Sequence, residues 1–160
     1  MKRTLKVIVV VSLMMLSSGM LLAQENPFVG TWKLNTGKTK FTGMPALKSE
    51  TRTVAAQDSG IKVSFDGIGA DGSKFSYSYT TNLDGRATPI TGTGVPAGAE
   101  MYASKRVDAN TYSTTWLKGG KEVGMSRSVA SKDGKATTIT LKLTDASGKP
   151  ISAVTVFDKQ

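Results

Sequence analysis

The sequence contains no cysteine and no histidine. Without cysteine the fold has no disulfides and depends on its hydrophobic core alone. Without histidine the chain lacks the usual general base near neutral pH, and a Ser-His-Asp triad is excluded. Both residue types are also the common ligands of zinc, copper and iron, so we expect no metal site.

Other signatures of catalysis are missing as well. No phosphate-binding or dinucleotide-binding glycine pattern lies between a strand and a helix. Most aspartates fall at turns, where this residue usually shapes the backbone: Asp58, Asp66, Asp71, Asp84, Asp108, Asp133 and Asp145. We therefore predict that the protein is not an enzyme, has no catalytic residues and uses no cofactor.

The N-terminal segment has the layout of a secretory signal. Lys2, Arg3 and Lys6 precede a nearly continuous apolar stretch that ends at Ala23. We predict a signal peptide over residues 1–23, cleaved near Ala23/Gln24, and one domain over residues 24–160. The mature protein is then periplasmic or extracellular, without stable membrane insertion. The formal charge is +9, but the basic residues are scattered, so nucleic acid is not an expected partner.

The mature sequence predicts an all-β protein. Asp-Gly and Gly-Gly turn signals, such as Asp84-Gly85 and Gly119-Gly120, separate short segments with period-two alternation. A long meander of this kind tends to curl and close, which predicts one antiparallel up-and-down barrel. About ten strands are expected, at residues 28–35, 49–57, 60–66, 73–81, 86–91, 100–107, 110–117, 121–130, 135–144 and 150–158.

Two segments carry a family likeness. The segment Phe28–Leu34 (FVGTWKL), within the predicted first strand, resembles the opening of fatty-acid-binding proteins, and its Gly-x-Trp is also the lipocalin signature. The segment GKEVGMSR at residues 120–127 is similar in spacing to the fatty-acid-binding strand that carries an interior arginine. The chain thus resembles the calycin superfamily, and most of all small secreted bacterial lipocalin-like proteins. Glycines and a proline in residues 36–48 exclude the helical lid of the fatty-acid-binding group.

The resemblance and the alternation together suggest site residues. Trp32 is expected to plug the closed end of the barrel, next to Gly30. Arg127 shares a phase with Met125, which favours an inward guanidinium that contacts an anionic group. In the alternative, the other face of this strand lines the interior and Arg127 is solvated. The predicted ligand-binding set is Arg127, Phe75, Tyr77, Tyr79, Met125 and Phe157; Glu50, Glu100 and Glu122 lie at strand ends where one could reach the arginine.

Three functions can be compared at this point, and the missing catalytic motifs count against one of them, an enzyme that uses tyrosines and carboxylates alone. The first is a non-catalytic exported protein that binds a small apolar or anionic amphipathic ligand inside its barrel. The second is a filled barrel that acts as a structural or protein-interaction module of the cell envelope. The volume of the interior separates the two, and the sequence carries no signal for an oligomeric state.

Overall fold

The computed structural model describes residues 26–145 and 147–160 and is an antiparallel, nearly closed β-barrel. The predicted signal peptide and its cleavage site lie outside these residues. Twelve strands make up the sheet, with the following bounds: β1 Gly30–Leu34, β2 Lys40–Thr42, β3 Ser49–Gln57, β4 Gly60–Ile68, β5 Lys74–Thr81, β6 Asp84–Pro89, β7 Thr91–Thr93, β8 Met101–Asp108, β9 Thr111–Lys118, β10 Lys121–Ala130, β11 Ala136–Thr144 and β12 Pro150–Lys159.

Tight hairpins join most neighbouring strands, as the turn signals predict. The two ends of the described chain meet in the sheet, because β1 pairs with β3 on one side and with β12 on the other. Alternate residues of each long strand point into the barrel; in β4 these are Ile61, Val63 and Phe65. All-antiparallel pairing and this alternation are consistent with a calycin-like barrel.

The expected number of about ten strands is wrong by two. The additional strands, β2 and β7, have three residues each and lie largely in segments that the sequence analysis treated as loops. β2 pairs with β12, and β7 pairs with β5. Their backbones form hydrogen bonds with longer neighbouring strands. Three residues are too few to show period-two alternation, so the sequence pattern could not predict these strands.

Closure of the barrel is also incomplete. After the bend at Asn82 and Leu83, β6 pairs with β8, and no ladder joins it to β5 in the described chain. The chain then crosses at Ile90, and β7 pairs with β5. One continuous segment, residues 84–93, thus bridges the seam between the two edges of the sheet.

No helical lid is present between β1 and β3. Residues 35–48 form turns, bends and β2, in agreement with the sequence prediction. The described residues hold a single 3-10 turn at Pro96–Gly98, and no helix among them is long and apolar enough to cross a membrane.

Trp32 is buried, and a void of only about 10 Å³ lies beside it. Its side chain is only 1 % exposed, and its indole N–H donates to the carbonyl of Phe28 at 2.8 Å. Gly30 precedes it with φ +138, a conformation that only glycine adopts readily. The ammonium of Lys159 lies 5.2 Å from the centre of the Trp32 ring. We call this closely packed region around Trp32 the sealed end of the barrel.

Candidate functional site: the barrel cavity

A cavity of about 120 Å³ lies in the half of the barrel away from Trp32. Aromatic and aliphatic side chains surround its mouth, where β3 and β5 begin: Phe41, Met44, Leu47 and Phe75, with Gly94 and Pro96 of the loop after β7. Its deeper wall mixes polar and apolar side chains: Glu50, Arg52, Phe65, Tyr77, Tyr79, Tyr102, Tyr112, Thr114, Trp116, Ser126, Ser128, Ile139, Leu141, Ala153 and Thr155. The cavity therefore has an apolar mouth and a mixed interior that contains the charged residues Glu50 and Arg52.

Arg52 lies at the inner end of this cavity. The residue also borders a void of about 10 Å³ beside Trp32, so it separates the cavity from the sealed end. Its guanidinium carbon lies 4.5 Å from the ring centre of Phe65 and 4.7 Å from that of Phe157. Two aromatic faces thus hold the cation, a favourable cation–π arrangement in a site with little water.

Glu50 is the counter-ion of Arg52. The Nη2 of Arg52 donates to Oε1 of Glu50 at 3.2 Å, and the side chains are 13 % and 9 % exposed. Burial raises the pKa of the Glu50 carboxyl, and the attraction of Arg52 offsets this only in part. Burial lowers the pKa of Arg52, but Glu50 and nearby tyrosines outweigh it and leave the pKa raised. Both directions follow from two charges held out of water.

The pair leaves polar atoms without partners. Within residues 26–145 and 147–160, the guanidinium makes one hydrogen bond, to Glu50, and its Nε makes none. The hydroxyl of Tyr102, whose side chain is 2 % exposed, makes no well-formed hydrogen bond there either, although the Tyr77 hydroxyl is close enough to lower the pKa of Tyr102. A buried polar group without a hydrogen bond costs about 1–3 kcal/mol. Two such groups along one cavity indicate a place for additional polar atoms.

The tyrosines along the wall stay protonated. Burial raises the pKa of Tyr77, Tyr79 and Tyr102 above the ordinary value of a tyrosine. Their rings pack closely: Tyr77 stacks on Phe65 at 4.4 Å, and Tyr79 meets Tyr102 edge-on at 4.9 Å. The lining therefore offers neutral hydroxyl donors on a rigid aromatic frame.

Three predicted ligand-binding residues line the cavity and a fourth adjoins it. Tyr77 and Tyr79 are buried in the wall, and Phe75 is half-buried at the mouth. Phe157 is 0 % exposed and lies outside the cavity lining, where its ring packs on Arg52. Its placement is that of a support for the arginine.

The predicted inward orientation of Arg127 and Met125 is wrong. Both side chains are exposed on the outer face of β10, and Met125 is 47 % exposed. Gly124, Ser126 and Ser128 face inward instead, which was the alternative. Space is one physical reason, because even a Cβ at Gly124 would collide with the Leu143 side chain and the Lys142 carbonyl of β11. The indole N–H of Trp116 also donates to the Ser126 hydroxyl at 3.3 Å, which holds Ser126 on the inner face.

Arg52 was not among the predicted site residues, although the sequence contains a signal for its inward orientation. The turn at Asp58 and Ser59 fixes the hairpin register so that Arg52 faces Phe65 and Val54 faces Val63. Directly opposed residues of an antiparallel pair lie on the same face of the sheet. Since Val63 and Phe65 clearly alternate inward, Arg52 must do so too. Of the three glutamates considered as partners, Glu50 reaches an interior arginine, whereas Glu100 accepts from the Gly119 amide at 3.0 Å.

The arrangement can bind through hydrogen bonds, one ion pair and aromatic contacts. Among the described residues, no group of three or more acidic side chains is placed to hold a metal ion. No family model matches the chain, and a search of curated proteins finds no match. The cavity itself is therefore the basis for any functional inference.

Proposed function

We propose that the protein is a non-catalytic, exported, lipocalin-like barrel that binds a small hydrophobic or amphipathic ligand in this cavity. The observation that carries the proposal is the combination of an apolar mouth with unpartnered polar atoms on Arg52 and Tyr102 inside. Ligand pockets commonly join an apolar lining to a few convergent polar groups. In a fully packed core, a buried cation with unbonded N–H groups would cost free energy without any compensating contact.

The volume of the cavity favours a second candidate. About 120 Å³ lies below the range of roughly 300–1,000 Å³ that is common for ligand pockets. A filled barrel that acts as a structural or protein-interaction module is consistent with this small space. For the binding function, the volume restricts the enclosed part of a ligand to a head group and a few carbon atoms.

A pair of neighbouring substitutions on β10 distinguishes the two functions. Ser126 lines the cavity and Arg127 lies on the outer face, so Ser126→Leu and Arg127→Leu add the same side chain to opposite sides of one strand. Native mass spectrometry of gently purified protein, followed by solvent extraction, tests for a co-purified ligand. We expect a bound species in the native protein and in Arg127→Leu, and its loss in Ser126→Leu. A native protein without bound species, which also fails to bind amphiphiles in titrations, favours the filled barrel.

Export is tested separately. The basic residues and the apolar stretch before Ala23 support cleavage near Ala23/Gln24. We expect N-terminal sequencing of protein from the cell envelope or medium to start near Gln24. Protein that still begins at Met1 contradicts the export proposal and leaves the binding proposal untouched.

A further inference from the structure

The charges in the cavity lining cancel. Glu50 and Arg52 are the only charged residues among the described ones that line it, and they form an ion pair at 3.2 Å. An anionic head group that approaches Arg52 therefore also approaches Glu50. Two carboxylates that share a desolvated site repel each other strongly, so one of them must take up a proton. The buried arginine by itself would favour an anion, but the pair does not.

The same pair offers hydrogen bonds of both kinds. The guanidinium retains unused N–H donors, including the unpartnered Nε, and the Tyr102 hydroxyl is available as well. Glu50 has a second carboxylate oxygen that can accept. A matching ligand group carries an acceptor for the guanidinium next to a donor for the carboxylate. A primary amide has this pattern without a net charge.

Size and polarity fix the direction of entry. The cavity volume of about 120 Å³ is well below the roughly 300–1,000 Å³ that is common for ligand pockets. A polar head and the first carbon atoms fill that space. The polar groups lie deep, whereas Phe41, Leu47 and Phe75 surround the mouth. A ligand therefore binds with its head group inside the cavity, and its apolar chain extends outward through the mouth.

We propose that the cavity selects an uncharged amphiphile whose head group joins a hydrogen-bond acceptor to a donor, such as a primary amide, and that Glu50 excludes anions. The proposal rests on the binding function proposed above and names its ligand class. In this arrangement, the Arg52 guanidinium donates to the acceptor of the ligand head group, and the Glu50 carboxylate accepts from its donor. It also replaces the anionic head group that the sequence suggested with a neutral one.

Three probes with the same apolar chain test the selectivity: octanamide, methyl octanoate and octanoate. Calorimetric titration of the native protein is expected to show octanamide binding at least about tenfold tighter than octanoate, with the ester, which only accepts, in between. Glu50→Gln keeps the shape of the side chain and removes its negative charge. This variant is expected to reverse the order, so that octanoate binds tighter than octanamide. Arg127→Leu is the control and is expected to keep the native order.

Each outcome has a distinct meaning. If the native protein binds none of the probes, the binding function fails and this inference fails with it. If the native protein prefers octanoate, binding stands and the neutral-ligand inference is overturned. If the order of affinities is unchanged in Glu50→Gln, Glu50 does not determine the selectivity and the proposal is overturned. Should circular dichroism show that Glu50→Gln does not fold, the double variant Glu50→Leu/Arg52→Met replaces it; this variant is expected to bind amide and ester equally, and a retained amide preference contradicts the proposal.

Discussion

The two ends of the barrel interior are built differently. At the sealed end, the side chains of Trp32, Phe28 and Val54 are at most 3 % exposed and leave a void of only about 10 Å³. Toward the mouth, the cavity is about 120 Å³ and contains an ion pair with unpartnered polar atoms. Strand β3 serves both regions, since Val54 belongs to the first and Arg52 to the second. Along β3, close apolar packing at Val54 gives way to a polar site at Arg52, only two residues away.

The difference suggests that one end of the barrel contributes mainly to stability and the other mainly to ligand recognition. Close packing of large apolar groups supplies most of the free energy of folding. A buried ion pair contributes little to that energy, because desolvation of the charges offsets their attraction. We infer that the sealed end stabilises the barrel, while the pair is retained for what it binds. Four substitution experiments, from the largest expected effect to the smallest, test this division.

Trp32→Ala is expected to have the largest effect. It removes the largest fully buried side chain and leaves the Phe28 carbonyl without its donor. We expect the free energy of unfolding to fall by about 3–5 kcal/mol in urea denaturation. Val154→Ala is the control, because Val154 is 40 % exposed on β12 and its loss should cost no more than about 0.5 kcal/mol. Equal losses in both variants would contradict the role of the sealed end.

Arg52→Met should come next. It leaves the Glu50 carboxylate desolvated and without a counter-ion, so we expect a loss of about 3 kcal/mol at pH 7. The double variant Glu50→Leu/Arg52→Met removes both charges and should recover most of that loss. Denaturation of both variants under one set of conditions gives the comparison. A double variant less stable than Arg52→Met would show that the pair stabilises the fold after all.

The stability of Arg52→Met should also depend on pH. Without Arg52, the folded-state pKa of Glu50 rises further above its ordinary value of 4.5, because Arg52 is what lowers it. Between 4.5 and that raised pKa, the folded state holds a proton that the unfolded state has lost. The free energy of unfolding therefore falls as the pH rises through this window. The double variant lacks Glu50, and exposed aspartates act equally in both, so the difference between the two profiles isolates Glu50.

The smallest effects concern single hydroxyls near the cavity. Ser104 and Thr114 share a buried hydrogen bond at 2.9 Å, whereas the Tyr102 hydroxyl makes no well-formed hydrogen bond among the described residues. Ser104→Ala is expected to cost about 1 kcal/mol, and Tyr102→Phe nothing or a slight gain. Thermal unfolding of the two variants measures this contrast. A clear loss in Tyr102→Phe would indicate that its hydroxyl already has a partner, such as bound water.

Much of the fold was readable from the sequence because its signals are local. Turn glycines and period-two alternation predicted the long strands, and Gly-x-Trp predicted a buried Trp32. The cavity was readable only in part. Tyr77 and Tyr79 lie in its wall as expected, but Arg52 was missed and Arg127 was placed on the wrong face. Strand β10 has apolar residues on both faces, so alternation alone could not orient it.

The sequence by itself determined the pattern of strands and turns and the residues able to fill a core. Only the tertiary structure decided which of two arginines lies inside, where the barrel stays unpaired between β5 and β6, and how much space remains. The reason is physical. Alternation shows that a strand has two faces, but packing with other strands decides which face is inside: on β10, Leu143 leaves no room for a side chain at Gly124, and Trp116 donates to Ser126. A buried charge likewise depends on partners, here Glu50, Phe65 and Phe157, from three different strands.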